Sequence, residues 1–136
     1  MLTKKRIVLG VIGNDTHVVA NRILYLGLNE AGFFVCNLGT NNTPDDFVEA
    51  ACEVSADAVL VSSINGEGEY WCVNFREHFH KAGIDKILLY IGGNLVVGER
   101  DSSEVINLFE SYGFDRVFYQ TRSISNAVEI LSKDLL

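Results

Sequence analysis

Proline, tryptophan and methionine each occur once in this 136-residue chain, and cysteine three times. A single proline, with 48% hydrophobic and 21% charged residues, sets the composition apart from disordered or low-complexity chains. Cys36, Cys52 and Cys72 are odd in number and widely spaced, with no CxxC pair. That pattern argues against structural zinc and for a reduced, cytoplasmic protein. Cys36 and Cys52 lie in apolar runs and are expected to be buried as small hydrophobes. No apolar run reaches the 18 or so residues of a membrane span, and nothing reads as a signal peptide. Positive charge is also scarce: 11 Lys and Arg against 18 Asp and Glu give a net charge of −7. Lys4-Lys5-Arg6 is the one basic cluster and reads as a solvated lead-in, so neither nucleic acid nor a membrane is expected as a partner.

What the chain does have is alternation. Short runs rich in Val, Ile, Leu and Phe predict strands over Ile7–Ile12, Phe33–Leu38, Ala58–Ser62, Ile87–Ile91 and Arg116–Phe118. Near-continuous apolar runs suit strands buried on both faces. Helical patterns lie between them, over Val18–Ala31, Thr43–Val54, Tyr70–Ala82, Ser103–Tyr112 and Ser123–Leu135. Thr43 is a good N-cap, Pro44 fits the first turn, and Asp45, Asp46 and Glu49 complement the positive helix end. The predicted order is βαβαβαβαβα in a single domain over residues 1–136. Right-handed crossovers make this an α/β, flavodoxin-like (Rossmann-like) five-stranded parallel sheet of order 2-1-3-4-5, with helices on both faces. Ligands bind such sheets beyond the carboxyl ends of the strands, at the switch point beside strand 1.

Three loops should meet there. The first holds Asn14, Asp15, Thr16, His17 and Val18; the second Ser62, Ser63, Ile64 and Gly66; the third Gly92, Gly93, Asn94, Leu95, Val96, Val97 and Gly98. A carboxylate two residues before a histidine can orient that imidazole for a metal, accepting a hydrogen bond from its second nitrogen. The glycines read as places where a bulky ligand approaches the backbone, and Leu95-Val96-Val97 as an exposed apolar strip. His78 and His80 are two apart on a helix and cannot share a metal. Tyr70-Trp71 and Phe75-Phe79 read as core rather than binding aromatics, and Glu67 and Glu69 as solvated.

These loops resemble the pattern D-x-H-x-x-G, S-x-L, G-G of the cobalamin-binding fold in B12-dependent mutases and methyltransferases. Here it reads Asp15-x-His17-x-x-Ala20, Ser62-x-Ile64 and Gly92-Gly93, with 41 and 27 residues in the gaps. Over nearly the whole chain the sequence is most similar to the small-subunit (sigma) family of glutamate mutase, or methylaspartate mutase. Ile7–Gly13, Val61-Ser62-Ser63, Gly66-x-Gly68-Glu69, Gly92–Gly98 and Gly113–Val117 carry that likeness.

The resemblance implies adenosylcobalamin as cofactor and His17 as the axial cobalt ligand, replacing the vitamin's own benzimidazole. It implies that Asp15 supports His17, that Ser62, Ser63 and Ile64 line a pocket for the displaced nucleotide tail, and that Gly92 to Gly98 close its far side. Asn14, Thr16 and Val18 would touch the corrin or the tail. It further implies a large TIM-barrel partner subunit, a heterotetramer, and no catalytic residue on this chain, which would be inactive alone. Ala20 for glycine, Ile64 for leucine and the segment Phe118–Arg122 depart from the family pattern. They leave open a cobalamin carrier or binding protein serving a different mutase, a biosynthetic enzyme or a methyltransferase. A signalling receiver of the same topology would want an aspartate ending strand 3 and a lysine after strand 5, where Ser62 and Tyr119 stand.

Overall fold

The computed structural model describes residues 4–13, 18–119 and 124–136, leaving aside the side chains of residues 124 and 125. The elements run β1 (Arg6–Val11), α1 (Val19–Glu30), β2 (Phe34–Asn37), α2 (Pro44–Val54), β3 (Ala58–Ser63), α3 (Gly68–Trp71), α4 (Phe75–Lys81), β4 (Leu88–Gly93), α5 (Ser102–Ser111), β5 (Arg116–Tyr119) and α6 (Ile124–Asp134). The strands form one parallel sheet of order β2-β1-β3-β4-β5, as the alternation predicts. All four strand pairings are parallel.

Period-two alternation divides the strand residues between two cores. Ile7, Leu9, Leu60 and Tyr90 face α1 and α6, where Leu24, Leu28 and Leu131 pack on them. Val8, Val59, Val61, Leu89 and Ile91 face the other layer, packing with Phe47, Phe75, Phe79, Val105 and Phe109. Every residue of β3 is buried, which is why this central strand reads as an unbroken apolar run ending in two serines.

Local chemistry fixes the helix ends. Thr43 caps α2 and forms a reciprocal box with Asp46, whose backbone N–H donates to the Thr43 hydroxyl while its carboxylate accepts from the Thr43 N–H at 2.8 Å. Asp46 therefore does more than offset the helix dipole. Asp45 reaches across to His78, 3.3 Å away on α4.

Three expectations are corrected. The helix predicted over Tyr70–Ala82 is two helices, broken where Asn74 takes a left-handed conformation at φ 55°; asparagine tolerates this conformation better than most residues. Cys52 is exposed and Cys36 only half-buried, whereas Cys72 is the buried thiol, its pKa pushed up by desolvation. Residue 52 lies on the outer side of α2, so its apolar neighbours in sequence are not its neighbours in space. β4 also runs past Ile91 through Gly92 and Gly93, because both pair with β3 and β5.

Candidate functional site

A cleft of about 170 Å³ opens between the carboxyl ends of β3, β4 and β5 and the helices α1 and α6. Ser62 and Ile64 line it from β3 and the loop beyond, Tyr90, Gly92 and Gly93 from β4, and Phe118 from β5. Ala20 and Leu24 of α1 and Ala127 of α6 complete the wall. Among the described residues no charged side chain lines the cleft. The walls are aliphatic and aromatic, with the Ser62 hydroxyl as a polar point, a chemistry suited to a flat, neutral heterocycle with a few polar edges.

Period two explains how the strands build this wall. Leu60 and Ser62 share one face of β3, and Tyr90 and Gly92 share the same face of β4. At Gly92 an added Cβ would meet only Phe118, at 3.4 Å or more. The absent side chain is therefore part of the cleft's width. Tyr90 presents its ring to the cleft while its hydroxyl donates to the Asp134 carboxylate at the end of α6. Arg116 holds the same carboxylate with two hydrogen bonds, at 3.0 and 3.1 Å. Burial first, and the Asp134 carboxylate next, push the Tyr90 phenol up from its ordinary pKa, so it stays a neutral donor.

The other predicted residues divide. Ser63 is completely buried on the opposite face from the cleft; its hydroxyl has no hydrogen-bond partner and sits 2.9 Å from where a Cβ on Gly68 would stand. Leu95 and Val96, expected as an exposed strip, are buried in the core under the loop, and only Val97 is exposed, at 78%. The loop folds onto its own core because Gly66 N–H donates to the Asn94 carbonyl and Glu69 N–H to the Leu95 carbonyl. Arg100 fastens it further through Glu69 at 2.6 Å. Asn94 and Gly98 remain exposed, as does Val18 where the chain enters α1.

Gly66 and Gly68 serve this interlocking rather than an open approach for ligand. A Cβ on Gly66, at φ +83°, would meet the Val97 side chain at 3.1 Å and the Val96 carbonyl at 3.2 Å. One on Gly68 would meet Ser63 and the Leu95 carbonyl. The second and third loops are thus pressed together as one block.

Asn14, Asp15, Thr16 and His17 lie outside the described residues, as do Gln120, Thr121 and Arg122 of the departing last loop. Gly13 donates its N–H to the Asn42 carbonyl at 2.7 Å, and the Trp71 indole packs against its α-carbon. Among the described residues no group of three or more His, Cys, Asp or Glu side chains forms a metal site, and no helix is long and apolar enough to cross a membrane. His78 and His80 each pair with an aspartate, Asp45 and Asp85, in the manner of surface residues.

Sequence reasoning missed Leu24, Leu60, Tyr90, Phe118 and Ala127 as cleft residues. Counting back by two from Ser62 and Gly92 reaches Leu60 and Tyr90, so that signal was present. Ala127 comes from a helix far along the chain and carries no such signal.

Comparison with known proteins bears on the same region. A family model described as "B12 binding domain" matches residues 5–120. The glutamate mutase sigma subunit of Carboxydothermus hydrogenoformans is 50% identical over 129 residues, covering 95% of this chain and 94% of that one. The protein of the same name from Treponema denticola is 44% identical over 134 residues, covering 98% and 96%. Among solved structures, a cobalamin-binding protein from Desulfitobacterium hafniense superposes with a TM-score of 0.77 at 21% identity, over 96% of this chain and 58% of that chain, which speaks to the fold alone.

Proposed function

Because this chain belongs to the glutamate mutase sigma subunit family and contains a B12 binding domain, we propose that it is the cobalamin-binding small subunit of a carbon-skeleton mutase interconverting glutamate and 3-methylaspartate. The cofactor proposed is adenosylcobalamin. The partner proposed is a separate large subunit with a TIM-barrel fold that holds the substrate, the two assembling as a heterotetramer in the cytoplasm.

The observation that carries the reading is the cleft at the carboxyl ends of β3, β4 and β5, whose described lining is uncharged. Its uncharged lining suits the base of the vitamin's nucleotide tail, and a side chain at Gly92 would narrow the cleft towards Phe118. His17 would ligate cobalt and Asp15 would orient His17. When bound, the cofactor would supply radical chemistry through homolysis of its cobalt–carbon bond. The residues of this chain bind, orient and shield. Ser62 offers the tail a hydroxyl, while Tyr90, Phe118 and Ile64 exclude water from it. Asn94 and Val97 are exposed and would touch the corrin or the partner.

The test compares adenosylcobalamin, methylcobalamin and adenosylcobinamide, which lacks the nucleotide tail. Tighter binding of the cobalamins than of the cobinamide, with a visible spectrum of imidazole-ligated cobalt, is expected. Equal affinity for cobalamin and cobinamide would remove the tail from the cleft. Glutamate mutase turnover should require a large subunit added back; full turnover by this chain alone would reject the subunit role.

A further inference from the structure

We propose that Trp71 is a positioning residue for the cobalt ligand: its indole edge occupies the space that a side chain at residue 13 would need, and so fixes the direction in which the chain leaves β1 towards His17. The inference rests on the cobalamin reading and names a residue for which that reading has no role.

The contact is specific. Gly13 adopts φ +83°, and a Cβ built there would lie 2.6 Å from both Cδ1 and Nε1 of Trp71 and 3.2 Å from Cε2. The five-membered edge of the indole thus rests on the glycine backbone itself. The N–H of the same residue is held by the 2.7 Å hydrogen bond to the Asn42 carbonyl. Asn42 is in turn fixed, its side-chain amide donating to the carbonyls of Val11 and Gly39. Gly13 is therefore held by both a hydrogen-bonded loop and an aromatic ring.

Trp71 is itself held firmly. It is the last residue of α3, its N–H donates to the Glu67 carbonyl at 3.1 Å, and its ring packs partly buried against the core while Tyr70 stands edge-on at 5.3 Å between centroids. α3 is fastened to the third loop through Glu69. The indole thus links the block made by the second and third loops to the root of the first. His17 lies four residues beyond Gly13, so the path towards it starts from the backbone angles of residue 13. A ligand that must reach one coordination position needs such a fixed root.

The experiment measures adenosylcobalamin affinity, the visible spectrum and urea unfolding for the full-length wild type, Trp71→Ala, Trp71→Phe, Gly13→Ala and the double variant Trp71→Ala with Gly13→Ala. Trp71→Ala should weaken binding by roughly 10-fold, the lower end of what is lost with an outer partner of a metal ligand, and reduce the fraction of imidazole-ligated cobalt. Trp71→Phe should restore most of both. Gly13→Ala should harm binding in both backgrounds, since φ +83° strains any side chain there, but less in the Trp71→Ala background, where the clash with the indole is gone.

Unchanged affinity and spectrum in Trp71→Ala, or independent effects of the two substitutions in the double variant, would overturn the proposal. Should Trp71→Ala fail to fold, Trp71→Phe and Gly13→Ala still decide it, because an effect of Gly13→Ala on stability with none on the spectrum also overturns it. A wild-type protein that binds no cobalamin with imidazole ligation sinks the cobalamin reading, and this inference with it. Normal wild-type ligation with an indifferent Trp71→Ala sinks this inference alone.

Discussion

Gly93 lies against Ser63 so closely that a Cβ on Gly93 would stand 2.3 Å from the Ser63 carbonyl oxygen. The two residues are register partners at the carboxyl ends of β4 and β3, and Gly93 turns there at φ +115°. Both backbone conformation and space demand glycine. Gly92, one residue earlier, has neither demand and borders the cleft.

Gly93→Ala should therefore destabilise the fold by at least about 2 kcal/mol, combining left-handed strain with a clash against backbone that cannot rotate away. Gly92→Ala should change stability by less than about 0.5 kcal/mol, since its Cβ meets ordinary contacts. It should instead weaken cobalamin and leave cobinamide binding unchanged. Urea unfolding and ligand titration of the two variants separate these outcomes; equal destabilisation by both would contradict the geometry.

His17→Ala should keep the fold and lose the imidazole-ligated spectrum. Asp15→Asn should keep the spectrum with roughly 10–100-fold weaker binding, as expected when the partner of a ligating imidazole is removed. Far-UV circular dichroism beside the visible titration distinguishes lost ligation from lost structure.

Asp134 makes stability depend on acid. The Arg116 guanidinium chiefly, with help from the Tyr90 hydroxyl, holds its carboxyl below the ordinary value despite an opposing effect of burial. A folded-state pKa below the unfolded one means the stabilisation is complete above about pH 4 and is lost as pH falls through the folded value. Asp134→Asn should be less stable than wild type at pH 7, and the gap should close as the solution is acidified below about pH 4. Urea midpoints for both proteins across that range test it; a gap that stays constant in acid would assign the effect to packing.

The cysteines should react in a fixed order. Cys52 is exposed and Cys36 half-buried, while Cys72 is sealed in the core with its thiol held protonated by burial. A thiol reagent should label Cys52 first and Cys36 more slowly, leaving Cys72 for unfolded protein. Mass spectrometry of a labelling time course reads the order, and early labelling of Cys72 would show that the core under α3 opens.

Much of this molecule was legible in its residues. Apolar runs of strand length separated by helical patterns dictate a parallel α/β sheet, because only burial on both faces satisfies such strands. Thr43-Pro44-x-Asp46 writes the start of α2 in four residues. The carboxyl ends of β3 and β4, which line the cleft, are marked in sequence because parallel topology sends both to the same sheet edge. These signals are local, or follow from chain direction alone.

What the residues left open depends on which atoms meet. Alternation places Ser62 and Ser63 on opposite faces of β3, yet only the docking of α1 and α6 makes one of those faces the cleft. Leu95 and Val96 read as an exposed strip until two backbone hydrogen bonds fold their loop inward. Gly66 and Gly68 suggest room for a ligand until the neighbouring loop is seen filling it. Nothing within reach along the chain connects Trp71 to Gly13; 57 positions separate them, and long-range packing alone sets the indole on that backbone. Periodicity specifies which way a residue faces relative to its own element, whereas its surroundings are set by elements distant in the chain.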